Sequence, residues 1–172
     1  MGMSAPPKIH ILDPSHLDDI VSLRRATDAM HGELHPGLFQ PTRDENQLRA
    51  DVEQYLTATQ SDDRFAIGSV QGARVIGYAL CSKFEHDADE FMPARRGLFV
   101  RDICVQPDRR GHGVGRAILD KVAELAREMG GTTQVHATVW EGNHPSAAMF
   151  RAAGFKPLHT SYALCQDEHD GT

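Results

Sequence analysis

Residues 109–119 read RRGHGVGRAIL, with Gly111, Gly113 and Gly115 at alternate positions directly before a run of helical apolar spacing. Glycine weakens regular structure by roughly 0.5–1 kcal/mol relative to alanine, so three in five residues imply a task for the main chain itself. Just upstream, residues 97–105, GLFVRDICV, read as a strand, Leu98 to Val105, that Pro107 ends. In a strand-to-helix turn of this kind successive amide N–H groups converge, and the helix start adds about half a positive charge. The expected occupant is an anion, such as a pyrophosphate held by main chain alone. The alternative is a turn that only lets the helix pack closely on the strand.

Two better-known phosphate loops do not match. A G-x-x-x-x-G-K-[ST] loop lacks both its Lys and its hydroxyl here, and a G-x-G-x-x-G fingerprint counted from Gly111 meets Arg116 in place of the third glycine. What remains is R-x-x-G-x-G, carried by Arg110, Gly113 and Gly115, with Arg109 and Arg116 adding positive charge.

Outward from the loop, apolar spacing from Ala117 predicts a helix to about Met129, ended by Gly130 and Gly131. Residues 133–140 predict a strand, Asn143 to Ala153 a short helix with Pro145 near its start, and residues 155–165 one or two closing strands. Towards the N-terminus, Ile9–Leu12 predicts a strand, and Asp13 or Ser15 caps a helix running to about Met30. Glycines and prolines in residues 31–41 break it, and Arg43 to Thr59 resumes helical spacing. Residues 64–70 and 74–84 flank a short glycine-containing connection and predict an antiparallel hairpin; residues 85–95 form an acidic loop. The order is βααββ followed by βαβαβ, an α/β arrangement with a mixed sheet.

The chain has 172 residues, 40% hydrophobic and 24% charged, which suits a single domain over residues 1–172, with 1–7 and 167–172 expected as flexible tails. A net charge of -6 supplies no basic field, so nucleic acid is not an expected partner, and no apolar run approaches the roughly 20 residues of a membrane span. The first residues, MGMSAPPKIHIL, lack the apolar core of a signal peptide. Cys81, Cys104 and Cys165 are too few and too scattered for a disulfide framework or a metal knuckle. A reducing, cytoplasmic setting is expected. HGELH, residues 31–35, places its glutamate one position late for the H-E-x-x-H zinc pattern, so no metal is expected.

Taken together, DICVQPDRRGHGVGRAIL (residues 102–119) and VWEGNHPSAAMFRAAGF (residues 139–155) resemble the two central signatures of the GNAT superfamily of acetyl-CoA-dependent N-acetyltransferases, and more narrowly its small-amine and polyamine subgroup. The resemblance implies a mixed, mostly antiparallel central sheet with helices on both faces. It implies acetyl-CoA as cosubstrate, a small-molecule amine as acceptor, and transfer by direct attack in a ternary complex. Homodimers are common in that family, so one is admitted here without being required.

By the same resemblance, Ile103, Cys104 and Val105 carry the pantetheine arm and acetyl group, with main-chain N–H groups near Val105 facing the developing oxyanion. Arg110, Gly111, His112, Gly113, Val114, Gly115 and Arg116 surround the pyrophosphate. Asn143 resembles the residue that helps hold the pantetheine; as a residue before Pro145 it also suits a helix cap. Phe150 stands where many relatives carry a tyrosine proposed to protonate the leaving thiolate, and has no proton to give.

An alkyl ammonium with a pKa near 10.4 is neutral in only about one molecule in a few thousand at pH 7, so a carboxylate near the amine is expected. Relatives often carry two acids late in the loop strand. Here Arg101 replaces one and Asp102 keeps the other, which makes Asp102 the first candidate for base or substrate contact, ahead of Glu33 and Glu85. Cys104 sits inside a strand with no neighbouring histidine in sequence, which argues against a covalent relay. Two other functions stay open: a non-catalytic acetyl-CoA sensor or interaction module, which Phe150 permits, and acetylation of protein or peptide amines.

Overall fold

Gln71 pairs with Arg74 across a two-residue turn, Gly72-Ala73, and this hairpin is the centre of the sheet. The computed structural model describes residues 7–39, 44–57, 63–130 and 133–163. In chain order the elements are β1 (Ile9–Ile11), α1 (Leu17–Leu34), α2 (Glu45–Leu56), β2 (Arg64–Gln71), β3 (Arg74–His86), β4 (Arg95–Val105), α3 (Val114–Glu128), β5 (Thr133–Ala137) and α4 (His144–Ala152). The strands lie in the order β1-β2-β3-β4-β5. All neighbours are antiparallel except β4 and β5, which α3 connects as a parallel crossover.

Side chains alternate between the two faces of the sheet and build two cores. On one face Phe65, Ile67, Ala79, Cys81, Leu98 and Val100 meet Ile118, Leu119 and Val122 of α3. On the other, Ala66, Tyr78 and Leu80 meet Ile20 and Val21 of α1 and Leu48 and Val52 of α2. Each fully buried Leu, Ile or Val contributes about 1.5–3 kcal/mol, so the apolar stripe of α3 alone anchors the crossover. The expected mixed, mostly antiparallel sheet with helices on both faces is the one observed.

Local chemistry sets the ends of the helices. Asp13 caps a short 3-10 turn, Pro14–His16, ahead of α1, and Asp44 accepts from the Gln47 N–H at 3.0 Å to start α2. The α1 helix runs one turn past the expected end at Met30: His35 N–H still donates to the His31 carbonyl at 2.9 Å, and Pro36 is the residue that stops it.

Two expectations for the second half need correction. The predicted strand over 133–140 ends at Ala137, because the neighbouring β4 bends away and leaves residues 138–140 without a ladder. Residues 155–163 form no strand. Phe155 instead folds back on α4, its N–H donating to the Phe150 carbonyl at 3.0 Å and its ring 5.1 Å from that of Phe150, while Pro157 has no N–H for a ladder. The expected tails, apart from Pro7, and the remainder of the closing segment with Cys165 lie outside the described residues.

Candidate active site

The bend in β4 has a defined cause. Cys81 pairs with Val100 and Leu80 with Asp102, so Arg101 is an extra residue, a β-bulge with no partner on β3. The Arg101 guanidinium lies 4.4 Å from the centre of the Phe99 ring, and its Nε donates to Ser82 Oγ at 2.7 Å. Before the bulge β4 and β5 pair from Arg96 with Thr133 to Val100 with Ala137; beyond it their ladder ends. The two strands therefore part, and residues 101–105 of β4 lose their β5 neighbour.

A cavity of about 570 Å³ occupies this gap. One wall is β4 from Val100 to Val105, and the opposite wall is Thr138, Val139 and Trp140 with Asn143, Ser146, Met149 and Phe150. One end is closed by the glycine loop and the start of α3. At the other end α1 presents Leu23, Ala26, Thr27, Met30 and His31, a single helical face.

The glycines of the loop do two different jobs. Gly111 and Gly113 have φ of 76° and 81°, a left-handed backbone that side-chained residues adopt only at a cost. Gly115 allows close approach: a methyl group there would lie 2.5 Å from Met149 Sδ, so its absence lets α3 and α4 touch beside the cavity. Whereas Asp44 and Asn143 cap α2 and α4 through their side chains, Gly113 has no side chain with which to cap α3. The first amides of α3 thus face the cavity end with the helix dipole behind them, an arrangement suited to a phosphate group.

Asn143 Oδ1 accepts from the Ser146 N–H at 3.2 Å, so the cap reading of this residue holds; it also lines the cavity. Arg110 donates from Nε to the Val105 carbonyl at 3.2 Å, tying the loop back to the end of β4. Arg116 is a half-exposed anchor, bound to both oxygens of Asp120 at 2.9 and 3.0 Å and to the Ala152 carbonyl at 2.5 Å.

Asp102 is the carboxylate on the β4 wall. The buried Tyr78 hydroxyl donates to its Oδ2 at 2.5 Å, and Arg24 Nε lies 3.8 Å from the same atom. Burial, and then the charge of Asp102, push the Tyr78 hydroxyl well above its ordinary value, so it stays protonated. Burial also raises the Cys104 thiol, which is therefore neutral at physiological pH and a poor nucleophile.

The sequence-derived residues Ile103, Cys104, Val105, Arg110, Gly111, Gly113, Val114, Gly115, Arg116, Asn143 and Phe150 all line this cavity together with Asp102. His112 does not; its Nδ1 meets the Arg110 carbonyl at 2.9 Å and its ring is exposed. Glu33 and Glu85 are exposed and lie outside the cavity wall, Glu85 at the far end of β3 opposite Arg96. Among the described residues no cluster of His, Cys, Asp or Glu could hold a metal ion, and no helix is long and apolar enough to cross a membrane.

The family resemblance points to the first two helices for the acceptor side without naming a residue; in the structure α1 supplies it through Leu23, Ala26, Thr27, Met30 and His31, whose spacing is a legible helical stripe. Sequence reasoning missed Trp140, whose ring packs edge-on against Phe39 at 4.8 Å while His31 stacks on Phe39 at 5.2 Å, closing the rim of the cavity. Tyr78 and Arg24 left no signal, since one reads as core and the other as a solvated helix residue.

Comparison with known proteins agrees with this geometry. The chain is 33% identical over 93 residues to thialysine N-epsilon-acetyltransferase of Bos taurus, covering 54% of this chain and 51% of that one. The Mus musculus protein of the same name is 32% identical over 96 residues, 56% of this chain and 53% of that one. The match thus spans about half the length of these relatives.

Among solved structures, a mutant of the BH1408 protein from Bacillus halodurans superposes with a TM-score of 0.78 at 17% identity, over 92% of this chain and 99% of that one. Aminoglycoside N-acetyltransferase AAC(6')-Iy, in complex with CoA, gives 0.66 at 21% identity, over 92% and 93%. At these identities the structures speak for the fold. The sequence model of the Acetyltransferase (GNAT) family matches residues 27–155, from the α1 wall through the glycine loop to the end of α4, and on that extent the chain belongs to the GNAT acetyltransferase family.

Proposed function

We propose that the protein is an N-acetyltransferase that moves the acetyl group of acetyl-CoA to a primary amine of a small molecule, by direct attack in a ternary complex. The observation that carries this reading is the single cavity that joins the uncapped amides of α3 to the Asp102 carboxylate through the gap between β4 and β5. The names of the relatives, thialysine and aminoglycoside acetyltransferases, support an amine acceptor.

In this reading the pyrophosphate sits on the main-chain N–H groups of residues 111–116, and the pantetheine arm runs along Ile103–Val105, where β4 has no β5 neighbour. The amine enters along α1 towards Asp102. Its neutral form is scarce, a deficit of about 4–5 kcal/mol at pH 7, which Asp102 reduces by binding the ammonium and accepting its proton. The amine nitrogen then bonds to the thioester carbon and the carbon–sulfur bond breaks. The electron pair goes to sulfur, whose thiol has a pKa near the 8.5 of cysteine, so the thiolate leaves without help from Phe150.

The buried, protonated Cys104 supports direct attack over a covalent relay. Two free thiols among the described residues suit a cytoplasmic setting.

The test is release of free thiol from acetyl-CoA across a panel of diamines, thialysine, aminoglycosides and peptides, with Asp102→Asn beside the wild type. The variant is expected to lose about 100-fold in kcat/KM. Phe150 favours one competing reading, a sensor that binds acetyl-CoA without turnover; thermal stabilisation by acetyl-CoA with no thiol released from any amine would establish it.

A further inference from the structure

Tyr78 is a completely buried residue of β3, set in the apolar layer between the sheet and α1 and α2, and it is not part of the cavity wall. A phenylalanine would fill that layer without requiring a partner for a hydroxyl. The tyrosine hydroxyl instead reaches Asp102 Oδ2 at 2.5 Å. From α1, Arg24 brings Nε to 3.8 Å of the same oxygen, and this Nε has no hydrogen-bond partner among the described residues. Both contacts converge on Oδ2, while Asp102 itself lines the cavity between the α1 face and the splayed half of β4.

We propose that Tyr78 is a positioning residue for the acceptor: with Arg24 it pins Oδ2 of Asp102 so that Oδ1 faces the cavity and receives the ammonium group of a small alkyl amine. The proposal rests on the acetyl-transfer reading and deepens it. Tyr78 touches neither substrate. It acts by fixing the direction of a carboxylate that could otherwise rotate about its side-chain torsions, and orientation of this kind matters most for the group that must meet the amine at the thioester carbon. Among the described residues Tyr78 from β3, Arg24 from α1 and the neighbouring Cys104 of β4 interact with Asp102.

The experiment is steady-state acetylation of thialysine by the wild type, Tyr78→Phe, Arg24→Gln, Asp102→Asn and the double variant Tyr78→Phe/Asp102→Asn, with acetyl-CoA affinity measured by calorimetry. In Tyr78→Phe the KM for the amine rises about 10-fold and kcat changes less, while the acetyl-CoA Kd stays within about twofold. In the Asp102→Asn background, Tyr78→Phe has no further effect, because the carboxylate it positions is already gone. Arg24→Gln, at a partly exposed site, raises the amine KM in the same direction and carries the test should Tyr78→Phe not fold.

An unchanged amine KM in the folded single variants, or additive losses in the double variant, overturns the proposal and leaves acetyl transfer standing. Binding of acetyl-CoA with no acetylation of any amine by the wild type overturns the acetyl-transfer reading itself, and this proposal with it.

Discussion

Gly97 on β4 and Gln134 on β5 are register partners, and a methyl group on Gly97 would stand 1.8 Å from the Gln134 carbonyl oxygen. The obstacle is backbone and has no rotamer to escape into. Gly97→Ala must therefore push apart the short parallel ladder at the narrow end of the gap between β4 and β5. We expect a loss of about 3 kcal/mol in urea unfolding, at the upper end for overpacking, with a lower midpoint and an unchanged slope. A midpoint equal to that of the wild type would show that the strands can separate without cost.

Gly113 has φ of 81° and open space around its α-carbon, so Gly113→Ala tests backbone conformation without a clash. The left-handed geometry costs a side-chained residue about 1–2 kcal/mol. Gly130 offers a control at the other end of α3, with φ of 69° and equally open surroundings. Both alanine variants should lose stability to a similar extent, but calorimetry should find weaker acetyl-CoA binding in Gly113→Ala alone. Equal affinities in the two would remove the loop from cofactor binding.

The Tyr78 hydroxyl predicts an alkaline limb in folding stability. Its folded-state value lies well above the ordinary 10, because burial and then Asp102 oppose the phenolate, so above about pH 10 the unfolded chain holds fewer protons than the native one. Stability from this group is complete below pH 10 and falls as the pH rises past it. Tyr78→Phe lacks that slope. Denaturant midpoints measured from pH 8 to 11 on both proteins check the sign, and parallel curves would contradict it.

Thiol chemistry should separate two cysteines. Burial pushes Cys81 up to about 12, and its side chain is fully enclosed in the α3-side core, so it should react with iodoacetamide only on unfolding. Cys104 is raised by burial too but stands on the cavity wall. Peptide mass spectrometry after labelling at pH 7 should show slow modification of Cys104, slowed further by saturating acetyl-CoA. Modification unaffected by the ligand would place the pantetheine arm elsewhere.

How much of this could be read beforehand depended on whether the signal was local. The strand–glycine–helix unit at residues 97–129 announces itself through Pro107, the three glycines and the apolar stripe of α3, each a feature of a few adjacent residues. The cap at Asn143 was legible for the same reason. The far end of the cavity was not. Asp102 stood out by itself, but its contacts with Tyr78 and Arg24 join three elements through the β3–β4 register and the packing of α1 on the sheet. The closing strand at residues 155–163 failed for the converse reason: its β-formers Phe155 and Tyr162 describe a preference, and a strand exists only where another strand offers a ladder.

The extra residue in β4 also decides what kind of surface the acceptor meets. Leu98 and Val100 look towards α3, and after Arg101 the parity is reversed, so that Ile103 and Val105 take over that side while Asp102 and Cys104 turn to α1. Were Arg101 paired in the ladder instead of bulged, strict alternation would swing the carboxylate into the oily side of the sheet, with Ile103 in its place; excising Arg101 would leave Asp102 where it is. Polarity along this cavity wall is thus governed by one bulged residue, and a sequence comparison that slides across that position would exchange cavity-lining and packing residues without altering a single element of the fold.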